Sequence, residues 1–314
     1  TSARLETNDA KNIARTIRRS ISVPSTPPSE NTDDSNQDSS ENPSTPAPPP
    51  SNPISFPPLP PDLDLDFEPV VLPEIPEETK TQTSILGWIP FWDQQNAFSV
   101  VVNNVEIVDY VGVFWYRIDA QGEIKKYTVA FEDQSMIDYL HQNGIKVFAV
   151  VTNLPDYTEG GTWDKQRVDK VISTQSARSK HINDLLELVE SHNFDGINID
   201  YEALGAYQEE NFTLFIKELG QALHQNNYLL GVALHPKTSK GDPRETNGSE
   251  AQDWKEIYPY IDQMYFMTYG EHWSSSPPGP IATPQWVSRV MDYAVNGVGI
   301  PLEKYLWVCR CMLR

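Results

Sequence analysis

Residues 194–202, Phe-Asp-Gly-Ile-Asn-Ile-Asp-Tyr-Glu, decide the fold of this chain. Polar side chains stand at every second position of an otherwise apolar run, and a β-strand alternates its side chains between two faces. Asn198, Asp200 and Glu202 are therefore predicted to share one face. Two carboxylates that close raise the pKa of one of them, so that it keeps a proton near neutral pH.

A protonated acid beside an ionised one is typical of glycoside hydrolysis. A strand end whose acids merely face water fits the same spacing, and the residues alone leave both interpretations open. The chain around this strand decides where the acids would lie.

From about residue 84, apolar runs alternate with amphipathic segments. The predicted strands cover 85–92, 107–118, 146–153, 196–202, 229–235, 263–269 and 304–308. The predicted helices cover 133–143, 174–192, 207–226 and 284–296. This alternation predicts an α/β protein with a parallel sheet, and the lack of a Gly-x-Gly-x-x-Gly turn favours a (β/α)8 TIM barrel over a doubly wound sheet. The acids would then lie at the C-terminal mouth of a barrel spanning residues 81–314.

Residues 194–202 resemble the signature of glycoside hydrolase family 18, Asp-Gly-x-x-x-Asp-x-Glu, which that family carries on the fourth strand of its barrel. Asp195, Gly196, Asp200 and Glu202 match the signature. Asn198 stands where chitinases of the family commonly have a third aspartate. With Asn at this position, the segment is similar to the branch of the family that contains spore-cortex and other peptidoglycan-directed enzymes.

A second segment, residues 263–273 followed by Pro-Pro-Gly-Pro at 277–280, is similar to the end of strand six in that branch. The resemblance implies that Tyr269 helps to hold the acetamido oxygen of the substrate and that Met267 lies in the floor of the site. Gly270 departs from the family, which has a sugar-binding aspartate there. The adjacent Glu271 is the acid that could replace it.

The resemblance also implies a mechanism, in which Glu202 is the general acid and the substrate's own acetamido oxygen is the nucleophile. Asp200 would orient that group, with Asp195 and Asn198 in support. The implied reaction is retaining hydrolysis of β-1,4 bonds in N-acetylglucosamine-containing glycans, chitin or peptidoglycan, so the expected partner is a polysaccharide substrate. A non-catalytic carbohydrate-binding barrel and an inactive fragment are the alternatives.

Aromatic residues at strand ends are candidate sugar platforms, although aromatic side chains are more often part of a core. We expect Trp88, Tyr116 and Trp273 to contact the sugar, together with Met267. His235 and His272 belong to no cluster with the spacing of metal ligands, so we expect neither a metal nor a cofactor.

Residues 1–80 contain 16 of the 26 prolines and predict a disordered linker or stalk, because such a segment buries too little apolar surface to offset its ordering entropy. The formal charge of −20 argues against nucleic acid or an anionic membrane as a partner. No apolar run is long enough for a membrane span, and no signal pattern opens the sequence at Thr1. We expect a monomer that is extracellular or attached to the cell surface.

Residues 306–314 depart from the continuation that the resemblance implies, namely a helix and an eighth strand. The barrel is therefore expected to be truncated after its seventh strand. Its first and seventh strands would then have unpaired edges.

Overall fold

The computed structural model describes residues 84–240, 248–272, 276–301 and 304–307. The strands are β1 (Leu86–Pro90), β2 (Tyr110–Ile118), β3 (Ile124–Lys126), β4 (Lys146–Thr152), β5 (Gly196–Asp200), β6 (Leu229–Leu234), β7 (Gln263–Phe266) and β8 (Tyr305–Trp307). The helices are α1 (Gln94–Val102), α2 (Gln134–Gln142), α3 (Lys165–Ile172), α4 (Gln175–His192), α5 (Glu209–Gln225), α6 (Trp254–Ile257) and α7 (Pro284–Asp292). The disorder expected for residues 1–80 lies outside the described residues.

The sheet has the strand order of a barrel. Seven strands follow one another in the order β1-β2-β4-β5-β6-β7-β8, all parallel, and β3 pairs antiparallel with β2. The sheet is curled, as the short distance between two of its distant strands shows. The rings of Trp88 on β1 and Tyr265 on β7 have centroids 5.4 Å apart, although four strands lie between β1 and β7. The predicted α/β barrel topology is confirmed, and each of the seven predicted strands is present.

Alternation along β5 separates the core from the interior of the curled sheet. Ile197 and Ile199 are fully buried in the hydrophobic core. Gly196, on the opposite face, lies against the ring of Phe148 from β4. Asn198 and Asp200 share the face of Gly196, as the spacing predicted, and the structure places this face in the interior of the curled sheet.

Capping side chains set where the helices begin. Asp133 accepts the Ser135 and Met136 N–H groups at the start of α2, and Thr174 accepts the Ala177 N–H at the start of α4. Such caps contribute about 1 kcal/mol each. Across the described residues, no helix has the length and apolarity needed to cross a lipid bilayer.

Three aspartates join the N-terminal ends of neighbouring strands. Each of them stands directly before a strand and accepts a backbone N–H from the strand beside it. The pairs are Asp109 with Ile85 at 2.8 Å, Asp195 with Val147 at 2.7 Å and Asp262 with Leu230 at 2.8 Å. Histidines from the helices reinforce two of these joints, His141 to Asp195 at 2.9 Å and His224 to Asp262 at 2.8 Å.

Gly196 is required where β5 meets β6, since a Cβ there would lie 2.2 Å from the Leu229 carbonyl oxygen. We expect Gly196→Ala to lower the free energy of unfolding by about 3 kcal/mol, the upper range for overpacking. Gly87→Ala on β1 is the control, because its Cβ would meet only Val101 at 3.8 Å. Urea unfolding followed by circular dichroism measures both, and equal stabilities would contradict this explanation.

Candidate active site

The backbone of Glu202 is fixed by a side chain from the neighbouring strand. Asn153 follows the end of β4, and its Oδ1 accepts the Glu202 N–H at 2.8 Å while its Nδ2 donates to the Glu202 carbonyl at 2.9 Å. Asn153 is fully buried, so water does not compete for these bonds. The side chain of Glu202 is 20% exposed, which leaves the carboxyl accessible to a ligand.

The residue after Glu202 has an unusual backbone conformation. Ala203 has φ of 55°, a left-handed value that costs a non-glycine residue on the order of 1 kcal/mol. The following turn is fixed, because Gln208 Oε1 accepts the Gly205 N–H at 2.7 Å and Gln208 Nε2 donates to Asp169 at 2.7 Å. The loop that carries Glu202 is therefore held from both sides, which compensates the strain at Ala203.

Asp200 and Asn198 lie in a dry part of the interior. Asn198 is fully buried, and neither its Oδ1 nor its Nδ2 has a hydrogen-bond partner among the described residues. Asp200 Oδ1 is likewise buried without such a partner. Burial raises the pKa of Asp200 to about 7, because the charged form loses its hydration.

Tyr127 and Thr152 stand beside Asp200 and were not found from the sequence. Thr152 on β4 is the register partner of Asp200. Tyr127 O–H donates to the Leu154 carbonyl at 2.9 Å and accepts the Thr152 hydroxyl, 2.7 Å away. Burial raises the pKa of Tyr127 well above its usual value, and the negative charge of Asp200 adds to this rise. Tyr127 therefore stays protonated and forms a polar wall near Asp200.

An aromatic wall, made of Phe91, Trp92, Phe114 and Tyr127, rises from the ends of β1 and β2. Phe91 stacks on Tyr127 at 4.2 Å, and Trp92 meets Phe91 and Phe114 edge to face. Trp92 is 65% exposed, an unusual state for so large an apolar ring. The flat exposed face of Trp92 is suited to stacking against a sugar ring.

The structure corrects the expected position of Tyr116. The register of β2 against β4 shifts between Val113 and Tyr116, and this shift interrupts the regular alternation of side chains along β2. The Tyr116 ring is buried against His192 at the end of α4 and against Phe194, on the helix side of the sheet. Phe114 takes the place expected for Tyr116 in the aromatic wall. Burial raises the pKa of Tyr116 above its usual value.

Trp88 and Asp195 lie deeper in the barrel than the mouth. Trp88 is half-buried, packing over Gly112 and against Tyr265 in the interior of the curled sheet. Asp195 is at the N-terminal end of β5, where it binds Val147 N–H and His141. Asp195, for which we expected a supporting role, therefore fastens the strand at the end opposite to Glu202.

The segment after β7 brings Met267 and Tyr269 to the mouth. Met267 is buried and Tyr269 is half-buried in the segment that directly follows β7. Gly270 has φ of 109°, and its N–H donates to the Ile281 carbonyl at 2.7 Å. An aspartate at 270 would be strained in this conformation. Trp273 lies outside the described residues.

Glu271 does not replace the missing aspartate, because its carboxylate is already engaged. Glu271 Oε2 accepts the Thr283 N–H at 2.6 Å, at the beginning of α7. Burial raises the pKa of Glu271, but the bonds from Thr283 outweigh this effect and lower it overall. His272 is also occupied, since its Nδ1 lies 2.8 Å from the Pro280 carbonyl.

A cavity of about 570 Å³ opens beside Ala203, between the β4–α3 loop and the loop of Glu202. Its lining includes Trp163, Glu159 and Arg167. Glu159 anchors the β4–α3 loop, since it pairs with Arg117 of β2 at 2.7 Å and with Arg167 of α3. The mouth therefore has an aromatic wall at the ends of β1 and β2 and a charged cavity beside Ala203.

The described side chains offer no metal centre. No group of three or more His, Cys, Asp and Glu side chains lies close enough to hold an ion in this part of the chain. Neither His235 nor His272 belongs to such a group among the described side chains.

A barrel-type sheet with paired acids at the end of its fourth parallel strand is the arrangement of the glycoside hydrolases. The family model described as glycosyl hydrolases family 18 matches residues 157–304. This part of the chain, just under half of its length, is therefore similar to family 18. The match includes Asp200, Glu202 and Tyr269.

Individual relatives extend the similarity. The chain is 28% identical over 196 residues to the uncharacterized glycosylase YvbX of Bacillus subtilis (strain 168), covering 57% of this chain and 56% of YvbX. It is 24% identical over 185 residues to the cortical fragment-lytic enzyme of Bacillus anthracis, covering 59% of this chain and 41% of that protein. The chain thus spans about half the length of the curated relatives it matches.

A solved structure shares the fold over more of the chain. The chitinase from Chromobacterium violaceum ATCC 12472 superposes with a TM-score of 0.62 and 25% identity, covering 72% of this chain and 68% of the chitinase. The similarity therefore includes both chitinases and spore-cortex enzymes.

The raised pKa of Asp200 predicts a pH-dependent loss of stability. A carboxyl whose folded pKa is about 7 and whose unfolded value is about 3.9 destabilises the fold as pH rises between those values. At pH 8 we expect the free energy of unfolding of Asp200→Asn to exceed that of the parent by on the order of 1–4 kcal/mol. At pH 4 we expect the variant and the parent to have nearly the same free energy of unfolding. Urea unfolding at both pH values measures this, and a uniform difference would contradict it.

Proposed function

We propose that this chain hydrolyses β-1,4 bonds of N-acetylglucosamine-containing glycans with retention of configuration, and that Glu202 is the general acid. The observation that carries the proposal is the position of the Glu202 carboxyl, fixed through its backbone by Asn153 and exposed at the mouth beside Asp200. A positioned acid of this kind typically contributes a factor of about 10² to 10⁴ in rate.

The roles of the other groups follow from their surroundings. Asp200 cannot easily act as a permanently charged nucleophile, because burial raises its pKa to about 7. A carboxyl that exchanges a proton near neutral pH suits the binding of an acetamido N–H and the stabilisation of the positive charge that develops there. The nucleophile in this proposal is the acetamido oxygen of the substrate, and Tyr269 is a hydrogen-bond donor to it.

The aromatic wall and the cavity beside Ala203 support a polymeric substrate. Trp92 offers an exposed platform beyond the end of β1, and the cavity leaves room beside Ala203. The similarity to a cortical fragment-lytic enzyme supports peptidoglycan, and the similarity to a chitinase supports chitin. Both polymers lie outside the cell membrane, so an extracellular or surface location and action as a monomer belong to the same proposal.

One observation favours a second function, that of a non-catalytic glycan-binding barrel. Gly270 supplies no carboxylate, and Glu271 is engaged at the start of α7. The loss of one charge-assisted hydrogen bond to the sugar costs about 1.5–3 kcal/mol. Such a loss weakens sugar binding but leaves Glu202 and Asp200 in place. Because both carboxyl groups of the proposed mechanism remain, we favour the enzyme.

Substitution of Glu202 separates the two functions. We expect the parent chain to release product from fluorogenic N-acetylglucosamine oligomers or from peptidoglycan sacculi, and Glu202→Gln to lower kcat by at least about 10²-fold with the fold unchanged. Proton NMR of the first product is expected to show the β-anomer. Binding of the oligomers without hydrolysis by the parent would favour the binding barrel, and equal hydrolysis by the variant would exclude Glu202 as the acid.

A further inference from the structure

His235 is a buried histidine with an unused nitrogen beside the proposed acid. It directly follows β6, its side chain is 9% exposed, and its Nε2 is buried without a hydrogen-bond partner among the described residues. Nε2 lies 3.8 Å from Glu202 Oε2. This distance is too long for a hydrogen bond, yet no water-sized gap separates the two atoms.

The position of the imidazole ring is built into the fold. The backbone N–H of His235 donates to Gln252 Oε1 at 2.8 Å, and Gln252 Nε2 donates to the Ala233 carbonyl at 3.2 Å. Gly248 covers the ring, because a Cβ at that position would lie 3.0 Å from His235 Cδ2. Gly248 also has φ of 112°, a conformation that disfavours any larger residue.

The ring is neutral at the pH where the acid would work. Burial lowers the pKa of His235 to about 4, since the charged form would lose its hydration. The charged groups near it include Glu202, whose Oε2 lies 3.8 Å from Nε2, and Lys237 further along its own segment, whose ammonium donates to the Ser249 and Gln252 carbonyls. A neutral imidazole has one N–H donor to offer to the carboxyl.

A buried donor without a partner costs about 1–3 kcal/mol, so a contact made only in the complex would recover that cost. Hydrogen bonds of catalytic groups are often long in ligand-free structures and shorten when substrate binds. A metal-ligand role for His235 has no support, because among the described side chains His235 and Glu202 belong to no group of three or more potential ligands.

We propose that His235 is a positioning residue whose Nε2–H donates to Glu202 Oε2 when a glycan occupies the mouth. The proposal rests on the function proposed above for Glu202. With Oε2 held by His235, the acidic proton sits on Oε1 and points to the glycosidic oxygen. As the bond between the sugar carbon and that oxygen breaks, its electron pair goes to the oxygen, which takes the proton from Oε1. The carboxylate left behind still accepts the bond from His235.

Two variants of His235 separate positioning from packing. His235→Phe keeps the ring volume without a donor, and we expect kcat to fall about 10- to 100-fold with KM within about twofold of the parent. His235→Gln keeps an N–H donor, and we expect it to restore most of kcat. The basic limb of the pH–rate profile is expected to move to higher pH in His235→Phe, because the carboxylate loses a donor that stabilises it. Equal kcat in His235→Phe and the parent, or equal losses in both variants, would overturn the proposal.

A second measurement does not depend on activity. In ¹⁵N NMR spectra of the full chain labelled in histidine, we expect His235 at pH 7 to be the Nε2–H tautomer and its Nε2 resonance to shift when Glu202 is changed to Gln. An Nδ1–H tautomer, with a bare Nε2 facing Glu202, would overturn the positioning role even if the enzyme were fully active. The expected tautomer in a chain that hydrolyses no glycan would leave the contact standing and reject the proposed function instead.

Discussion

The pair of hydrogen bonds between the Asn153 side chain and the Glu202 backbone is the constraint on which the site depends. Parallel strands leave their last backbone groups unpaired where they end, and β5 ends at Asp200, two residues before the acid. Asn153 supplies the missing partners from β4, because its amide has one acceptor and one donor in the geometry of a strand neighbour. The chain can therefore leave the sheet at Ala203 in a left-handed conformation without releasing Glu202.

Burial without partners is the second feature of the site. Asn198, Asp200 and His235 each contain a buried polar atom without a hydrogen-bond partner in the described part of the chain. Folding alone does not favour such atoms, each of which costs about 1–3 kcal/mol. Three such residues on β5 and directly after β6 are the pattern expected at a site where a protein loses folding stability and gains ligand binding. The raised pKa of Asp200 and the lowered pKa of His235 have the same cause, the exclusion of water.

Local periodicity was sufficient to predict the strands and the face of β5, but not the contacts between distant segments. The alternation in residues 194–202 is a property of one strand, and it predicted correctly that Asn198 and Asp200 share one face. The register shift in β2 that turns Tyr116 to the helix side depends on the pairing of β2 with β4. Asn153 binds the backbone of Glu202, which is 49 residues away along the chain. His235, directly after β6, lies beside Glu202, which follows β5. A polar residue directly after an apolar strand, as both are, is the one signal that could have marked them.

The central claim is that Asn153 positions the acid, and the kinetic effect of Asn153→Ala tests it most directly. The control is Asn226→Ala, which removes one exposed bond to the Ala222 carbonyl at the end of α5. We expect Asn153→Ala to lose about 1–3 kcal/mol of unfolding free energy and about 10²-fold in kcat at a temperature where it is fully folded, with the control unchanged in kcat. A folded Asn153→Ala chain with the kcat of the parent would contradict the claim.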